Sequence, residues 1–253
     1  MDMTGKRIWV VGASRGVGRV LALGLAAKGA RVAFSARTTA PLDDAVAKVG
    51  NGAIAVPVDV TDESSIVGAA KTVLDAFGGL DVLIYAPAVG PLTRIEDADA
   101  ELWRYAFNVN TIGATLVTRH VIAALAQSHG TAMYLSSIAE GGQAWPGLGL
   151  YATTKGALVR LIEAWRREHA EVAFTRMVLG PISGADIASE FGADWDPNLA
   201  VQFGTQWVVR GLHDGVSQIA GQDTVELAAV IIKNGSVADE IVIQPRPAPP
   251  QAV

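Results

Sequence analysis

Between Ile8 and Gln244 short apolar runs alternate with segments of helical period, and that alternation most narrows the folds open to this chain. Ile8–Val11, Val32–Ser35, Ala53–Val58, Leu80–Tyr85, Ala132–Leu135, Ala173–Leu179 and Glu240–Gln244 read as strands. Gly18–Lys28, Leu42–Val49, Glu63–Phe77, about Ala100–Gln127, a segment opening at Tyr151 and about Val225–Lys233 read as helices, with one more helix expected in the irregular sequence after Leu179. Strands this uniformly apolar need cover on both sides, and the amphipathic segments supply it. The pattern predicts one α/β domain, a parallel sheet wound on both faces. No repeat or Gly/Ser-rich linker divides the chain. The domain is expected over residues 1–245, and the tail to Val253, where four prolines fall from Pro245 onward, is expected to be poorly ordered.

Two stretches carry chemistry. Val11-Gly12-Ala13-Ser14-Arg15-Gly16-Val17-Gly18 joins the first strand to the first helix. Glycines there permit a tight turn and a close backbone approach to a pyrophosphate, while the helix N-terminus offers amide donors and its dipole. The second stretch is Tyr151-Ala-Thr-Thr-Lys155, with Ala157, Leu158, Leu161, Ile162 and Trp165 continuing a helical rhythm. Residues four apart share a helix face, so phenol and ammonium can point into one pocket. A nearby cation would lower the tyrosine pKa from its usual value of about 10 and suit it to general acid/base work. A surface Tyr and Lys on an ordinary helix give the same short pattern.

Composition removes several function classes. A net charge of −5 without a basic cluster argues against nucleic acid or an anionic membrane as partner. With no cysteine there is no disulfide or thiolate chemistry, and His120, His129, His169 and His213 lack ligand spacing, so no metal is expected. The opening residues run straight into a strand without an export-signal pattern, and Lys28 and Arg31 interrupt the longest apolar region. A cytoplasmic protein is expected.

The glycine turn followed in order by Asp59, Asn110, Ser137 and Tyr151-x-x-x-Lys155 resembles the short-chain dehydrogenase/reductase family over nearly the whole chain, from Lys6 to about Pro245. The resemblance implies a Rossmann fold with a doubly wound parallel sheet of about seven strands, an NAD(P)-dependent oxidoreductase activity and a homodimer or homotetramer. It implies cofactor contacts from Gly12, Ser14, Arg15, Gly16, Val17 and Gly18, from Asp59 and Val60 near the adenine, from Ala86 and Pro87 after the fourth strand, and from Pro181 and Ile182 after the sixth. Asn110 matches the residue that holds a proton-relay water, Ser137 and Tyr151 the carbonyl-binding pair, and Lys155 the residue that contacts both tyrosine and ribose. Three departures stand out. Tyr85-Ala-Pro-Ala88 replaces the usual Asn-Asn-Ala-Gly, removing side-chain hydrogen bonds that help fix that loop. The fourteen-residue step from Ser137 to Tyr151 is one longer than usual, which leaves Ser136 and Ser137 both candidates, Ser137 the nearer. The Pro-Gly order is reversed in Leu179-Gly-Pro-Ile182.

Charge selects the cofactor. An acid after the second strand would bind a ribose 2′-OH, whereas an arginine accommodates a 2′-phosphate. Here Ala36 stands where that acid would be, Arg37 is next to it, and Arg15 lies within the glycine turn, so NADP(H) is expected. Ser35 and Thr38 are expected to add hydroxyl contacts. Trp145, Leu148, Phe191, Trp195, Phe203 and Trp207 are expected to line an apolar pocket, and Asp186, Glu190, Asp194 and Asp196 would disfavour an anionic substrate, giving a bulky neutral or aromatic carbonyl or alcohol. Surplus apolar residues (Trp103, Tyr105, Phe107, Trp165) on the two long helices are expected to pair subunits. The alternative is an NADP(H)-binding regulatory or scaffold protein without turnover, favoured only by the altered loop and shifted serine. Epimerisation or dehydration with the same groups is a further option, but such relatives carry an added substrate domain for which 253 residues leave no room.

Overall fold

In β1 (Arg7–Val11), Ile8 and Val10 belong to the core on one face of the sheet and Trp9 and Val11 to the core on the other, all four without exposure to solvent. Successive strand residues face opposite sides, so such a run demands a helical layer on each. The computed structural model describes residues 2–183, 195–214, 217–234 and 238–245, and both layers are present. The remaining strands are β2 (Arg31–Ser35), β3 (Ile54–Ala55), β4 (Val82–Tyr85), β5 (Thr131–Ser137), β6 (Ala173–Leu179), β7 (Ile182–Ser183), β8 (Ile219–Ala220) and β9 (Glu240–Ile243). Seven of them form one parallel sheet in the order β3-β2-β1-β4-β5-β6-β9; β7 and β8 pair separately.

Helices α1 (Gly16–Ala27), α2 (Ala40–Val49) and α8 (Gly221–Asn234) cover one face through Leu21, Leu25, Leu42, Val225 and Ala229. Helices α3 (Glu63–Phe77), α5 (Gly113–Ser128) and α6 (Gly149–Glu168) cover the other through Ile66, Val73, Val117, Val121, Leu158 and Ile162. The strand order reverses between β1 and β4, and at such a point the loops leaving the strand ends diverge and open a crevice. That geometry places the site.

Several expected elements differ in detail. The strand expected over 53–58 reduces to two residues, although Val56 N still donates to Phe34 O at 2.9 Å and Val58 N to Ala36 O at 3.0 Å, carrying the chain along the edge. The long helix keeps its direction but changes pitch: α4 (Ala100–Phe107) passes into a π segment at Asn108–Ile112 before α5. This continuous Ala100–Ser128 helix is, contrary to expectation, long and apolar enough to cross a membrane by length and composition, but its apolar face packs on the sheet and on α3. The helix expected after the sixth strand includes α7 (Pro197–Val209), where Asp196 Oδ1 accepts from Asn198 N at 2.7 Å and Leu199 N at 3.2 Å ahead of a proline suited to the first turn. Trp165 is not surplus: it stacks on Phe174 with centroids 6.3 Å apart and its Nε1 donates to Thr115 Oγ1 at 3.1 Å. The proline-rich tail beyond Pro245 lies outside the described residues.

Candidate active site

The crevice is a cavity of about 1110 Å³, and the glycine turn lies in its wall. Gly12 has φ +83°, and a Cβ there would sit 2.8 Å from Pro87 N; a Cβ on Gly18 would lie 2.2 Å from Gly12 O. The turn is therefore pressed against both its own helix and the loop after β4, at a spacing that only glycine permits. Arg15 occupies the N-cap position of α1 without capping it through its side chain, and Gly16, Val17 and Gly18 of the first turn line the crevice. This cradle fits a pyrophosphate, and the cavity is large enough for a dinucleotide with a second small molecule.

Arg37 and Thr38 line the cavity beside the turn, and Arg37 Nη1 donates to Tyr105 Oη at 3.4 Å. Ser35 does not reach it. Ser35 is fully buried, and its Oγ accepts from Trp9 Nε1 at 2.7 Å across the β1–β2 pair, which corrects the expected hydroxyl contact. Asp59 and Val60 also line the cavity. Asp59 Oδ1 accepts from Thr61 N at 2.9 Å and Thr61 Oγ1 at 2.7 Å; these bonds and the Arg37 charge hold its carboxyl below the usual range.

On the far side, α6 presents Tyr151 and Lys155, and the end of β5 presents Ser137. The Ser137 hydroxyl acts on the Tyr151 phenol, favouring its ionised form. It also accepts from Ala139 N at 3.2 Å, whereas Ser136 donates to Glu140 instead. Of the two serine candidates, Ser137 is the one beside the tyrosine. Lys155 Nζ donates to Leu135 O at 2.8 Å and stands 5.8 Å from the centroid of the Tyr151 ring. Burial pushes Tyr151 up to about 12, against the lowering effect of Ser137, and pushes Lys155 down to about 8. The expected lowering of Tyr151 by Lys155 is thus reversed in this protein alone: the ammonium points to a backbone carbonyl, and desolvation of the phenolate dominates.

Asn110 stands behind the cavity wall, in the π segment, with no exposure. Its Oδ1 accepts from Val89 N at 2.8 Å, and its Nδ2 donates to Val89 O at 2.8 Å and Thr154 Oγ1 at 2.9 Å. Its side-chain contacts fasten the loop after β4 to α6. Tyr85 Oη donates to Val109 O at 2.6 Å, anchoring the start of that same loop to the π segment. The Tyr85-Ala-Pro-Ala88 departure therefore replaces one set of fastenings with another, and Ala86 and Pro87 line the cavity.

Aromatic rings close the apolar end. Trp145 and Trp195 each meet Trp207 edge to face, with centroids 5.5 Å and 6.1 Å away. Trp195 Nε1 donates to Gly90 O and Trp207 Nε1 to Pro146 O, both at 2.8 Å, so the indole edges are fixed. Leu148, Pro181 and Ile182 line the cavity, while Phe203 packs beneath it against Gly147. Asp196 is spent capping α7; Asp186, Glu190, Phe191 and Asp194 lie outside the described residues. Sequence reasoning missed Tyr105, His213 and Gln218 in the lining, none of which carries a sequence signal for it. Among the described residues no cluster of His, Asp and Glu could hold a metal ion.

A family model described as short chain dehydrogenase matches residues 6–194. The chain is 32% identical over 198 residues to a short chain dehydrogenase, tazN, of Aspergillus terreus, an alignment covering 74% of this chain and 43% of that one. It is 32% identical over 162 residues to the hydroxynaphthalene reductase arp2 of Aspergillus fumigatus, covering 62% and 59%. The chain thus spans less than two thirds of the length of these curated relatives. An alcohol dehydrogenase of Thermococcus sibiricus complexed with 5-hydroxy-NADP has the same fold, with a TM-score of 0.80, 22% identity and coverage of 96% of this chain and 99% of the other.

Proposed function

The chain belongs to the short-chain dehydrogenase family, nicotinamide-dependent oxidoreductases, and we propose that it uses NADP(H) to interconvert a carbonyl and a secondary alcohol on a bulky neutral or aromatic substrate. One observation carries the reading: Ser137, Tyr151 and Lys155 line the same cavity as the glycine cradle and Arg37. When bound, the nicotinamide supplies or takes up the hydride, and everything else falls to the chain's own side chains. Ser137 donates a hydrogen bond to the substrate oxygen and Tyr151 delivers the proton as negative charge develops there. With its pKa raised to about 12, Tyr151 carries that proton throughout the neutral range, as an acid in the reducing direction must. Lys155, which lines the cavity, would meet the ribose hydroxyls.

The indoles of Trp145, Trp195 and Trp207 offer flat apolar walls to a ring system and keep water from the reacting oxygen. Similarity to a protein named hydroxynaphthalene reductase supports an aromatic substrate of that general kind. For the cofactor, the absence of an acid at Ala36 and the cavity position of Arg37 support a 2′-phosphate. Arg37→Leu should weaken NADPH binding by about 1.5–3 kcal/mol, roughly ten- to a hundredfold, while NADH binding changes little. Fluorescence titration of both cofactors decides it, and equal NADH and NADPH affinities in the unmodified protein would refute the preference.

A further inference from the structure

Behind this centre stands a carboxylate that the mechanism leaves unused. Glu140 ends the short 3-10 turn Ile138–Glu140 that follows β5, and its side chain is only 10% exposed. One carboxylate oxygen accepts from the Ser136 hydroxyl, and the other pairs with Arg176 Nη1 of β6 at 3.0 Å. Arg176 is itself paired with Glu240 of β9. A buried ion pair seldom adds stability over apolar side chains of the same volume, so its presence at this point calls for another reason.

Lys155 supplies that reason. Its ammonium is 2% exposed, and its hydrogen bond runs to a neutral acceptor, Leu135 O. A charge removed from water is costly unless an opposite charge is near. The Glu140 backbone lies against α6 at the neighbouring residue, where a Cβ on Gly156 would be 3.6 Å from Glu140 O. Lys155 Nζ bonds the carbonyl of Leu135 and the Glu140 carboxylate bonds the hydroxyl of the next residue, Ser136, so both charges meet the same point of β5, where the carboxylate acts on the ammonium.

We propose that Glu140 is a positioning residue for the Ser137–Tyr151–Lys155 centre: held by Ser136 and Arg176, its carboxylate is the fixed counter-charge that keeps the buried Lys155 ammonium protonated. Ser136 from β5 and Arg176 from β6 bond Glu140, Glu240 reaches it through Arg176, and its charge interacts with Lys155 and Tyr151 of α6. The negative charge raises the pKa of Lys155 against the effect of burial, and raises that of Tyr151 as well. Both shifts hold these residues in the protonated forms that reduction requires. The catalytic part of this inference rests on the oxidoreductase reading; the electrostatic part does not.

Lysine side chains labelled with 15N, with the Lys155 signal assigned by its loss in Lys155→Met, allow Lys155 to be titrated in the cofactor-free protein whether or not a substrate is known. In Glu140→Gln, which keeps the shape and removes the charge, the Lys155 midpoint should fall by about one pH unit, the low end of what a nearby opposite charge produces. Glu140→Asp, which keeps the charge, should leave it within about half a unit. In the unmodified protein the same signal should show a second inflection where Glu140 titrates, a check that needs no variant to fold. With an active substrate, the alkaline limb of kcat should move down by the same amount in Glu140→Gln, and NADPH affinity should stay within twofold. An unmoved Lys155 midpoint in Glu140→Gln, an equal fall in Glu140→Asp, or no second inflection in the unmodified protein would overturn the assignment. If no carbonyl is reduced by any form while the lysine titration behaves as stated, the oxidoreductase reading fails and the role of Glu140 as counter-charge stands.

Discussion

Tyr151→Phe is expected to lose at least two decades of turnover while binding NADPH as before, since general acid/base groups contribute about 100- to 10,000-fold. The substitution keeps the ring, which is 6% exposed and packed among Ala139, Trp145 and Leu148, and removes only the hydroxyl on which Ser137 acts. On the proposed role, that hydroxyl would act on charge that appears in the transition state, so the loss should fall on kcat and not on ground-state binding. Ser137 remains and can still hold a carbonyl oxygen, but a serine hydroxyl is too weak an acid to replace the phenol. Steady-state rates beside a cofactor titration test this, and a variant with most of its turnover intact would show that the proton comes from elsewhere.

Lys155→Met should divide stability from activity. The buried ammonium has its pKa depressed from 10.5 to about 8 in the folded chain. Between those values the unfolded chain binds the proton and the folded chain does not, so stability is lost as pH falls through that window and stays lost at neutral pH. Methionine removes this cost, worth on the order of 3 kcal/mol, but leaves Leu135 O without its donor, which returns about 1 kcal/mol. The cofactor-free variant should therefore melt higher at pH 7, by roughly 4–8 °C, and the difference should change sign above about pH 10.5, where lysine is neutral in both states and only the bond to Leu135 O is lost. Turnover and NADPH affinity should both fall. Thermal melts at the two pH values, with and without NADPH, check this; a lower Tm at pH 7 would contradict the burial argument.

The architecture was legible because strand and helix leave different apolar periods, and the glycine turn because its backbone conformation and close packing exclude other residues. The same local signals could not reveal what depends on register. Ser35 and Ser136 differ from their neighbours only in which face of a strand they occupy. Pairing of Val11 with Ser35 in β1–β2, and of Ser136 with Val178 in β5–β6, settles that, and it turns Ser35 to Trp9 and Ser136 to Glu140. The π segment was invisible for a related reason: Asn108-Val-Asn-Thr-Ile112 keeps a helical pattern, and its pitch changes where Tyr85 and Val89 bond to it from the loop. Glu140 and Arg176 lie far apart in sequence and meet only because β5 and β6 are adjacent. Asn110 was legible as a site residue by resemblance, yet its side chain turns out to fasten the loop to α6.

The central claim is that this cavity reduces a carbonyl with NADPH. Incubation with NADPH deuterated at the transferring position of C4, and with a panel of bicyclic and polycyclic aromatic ketones, tests it most directly. The expected result is an alcohol carrying one deuterium on the former carbonyl carbon, formed by the unmodified protein and reduced at least a hundredfold in Tyr151→Phe. Tight NADPH binding without deuterium in any product, across neutral and aliphatic as well as aromatic ketones, would contradict the account and favour a protein that binds the cofactor without turning it over.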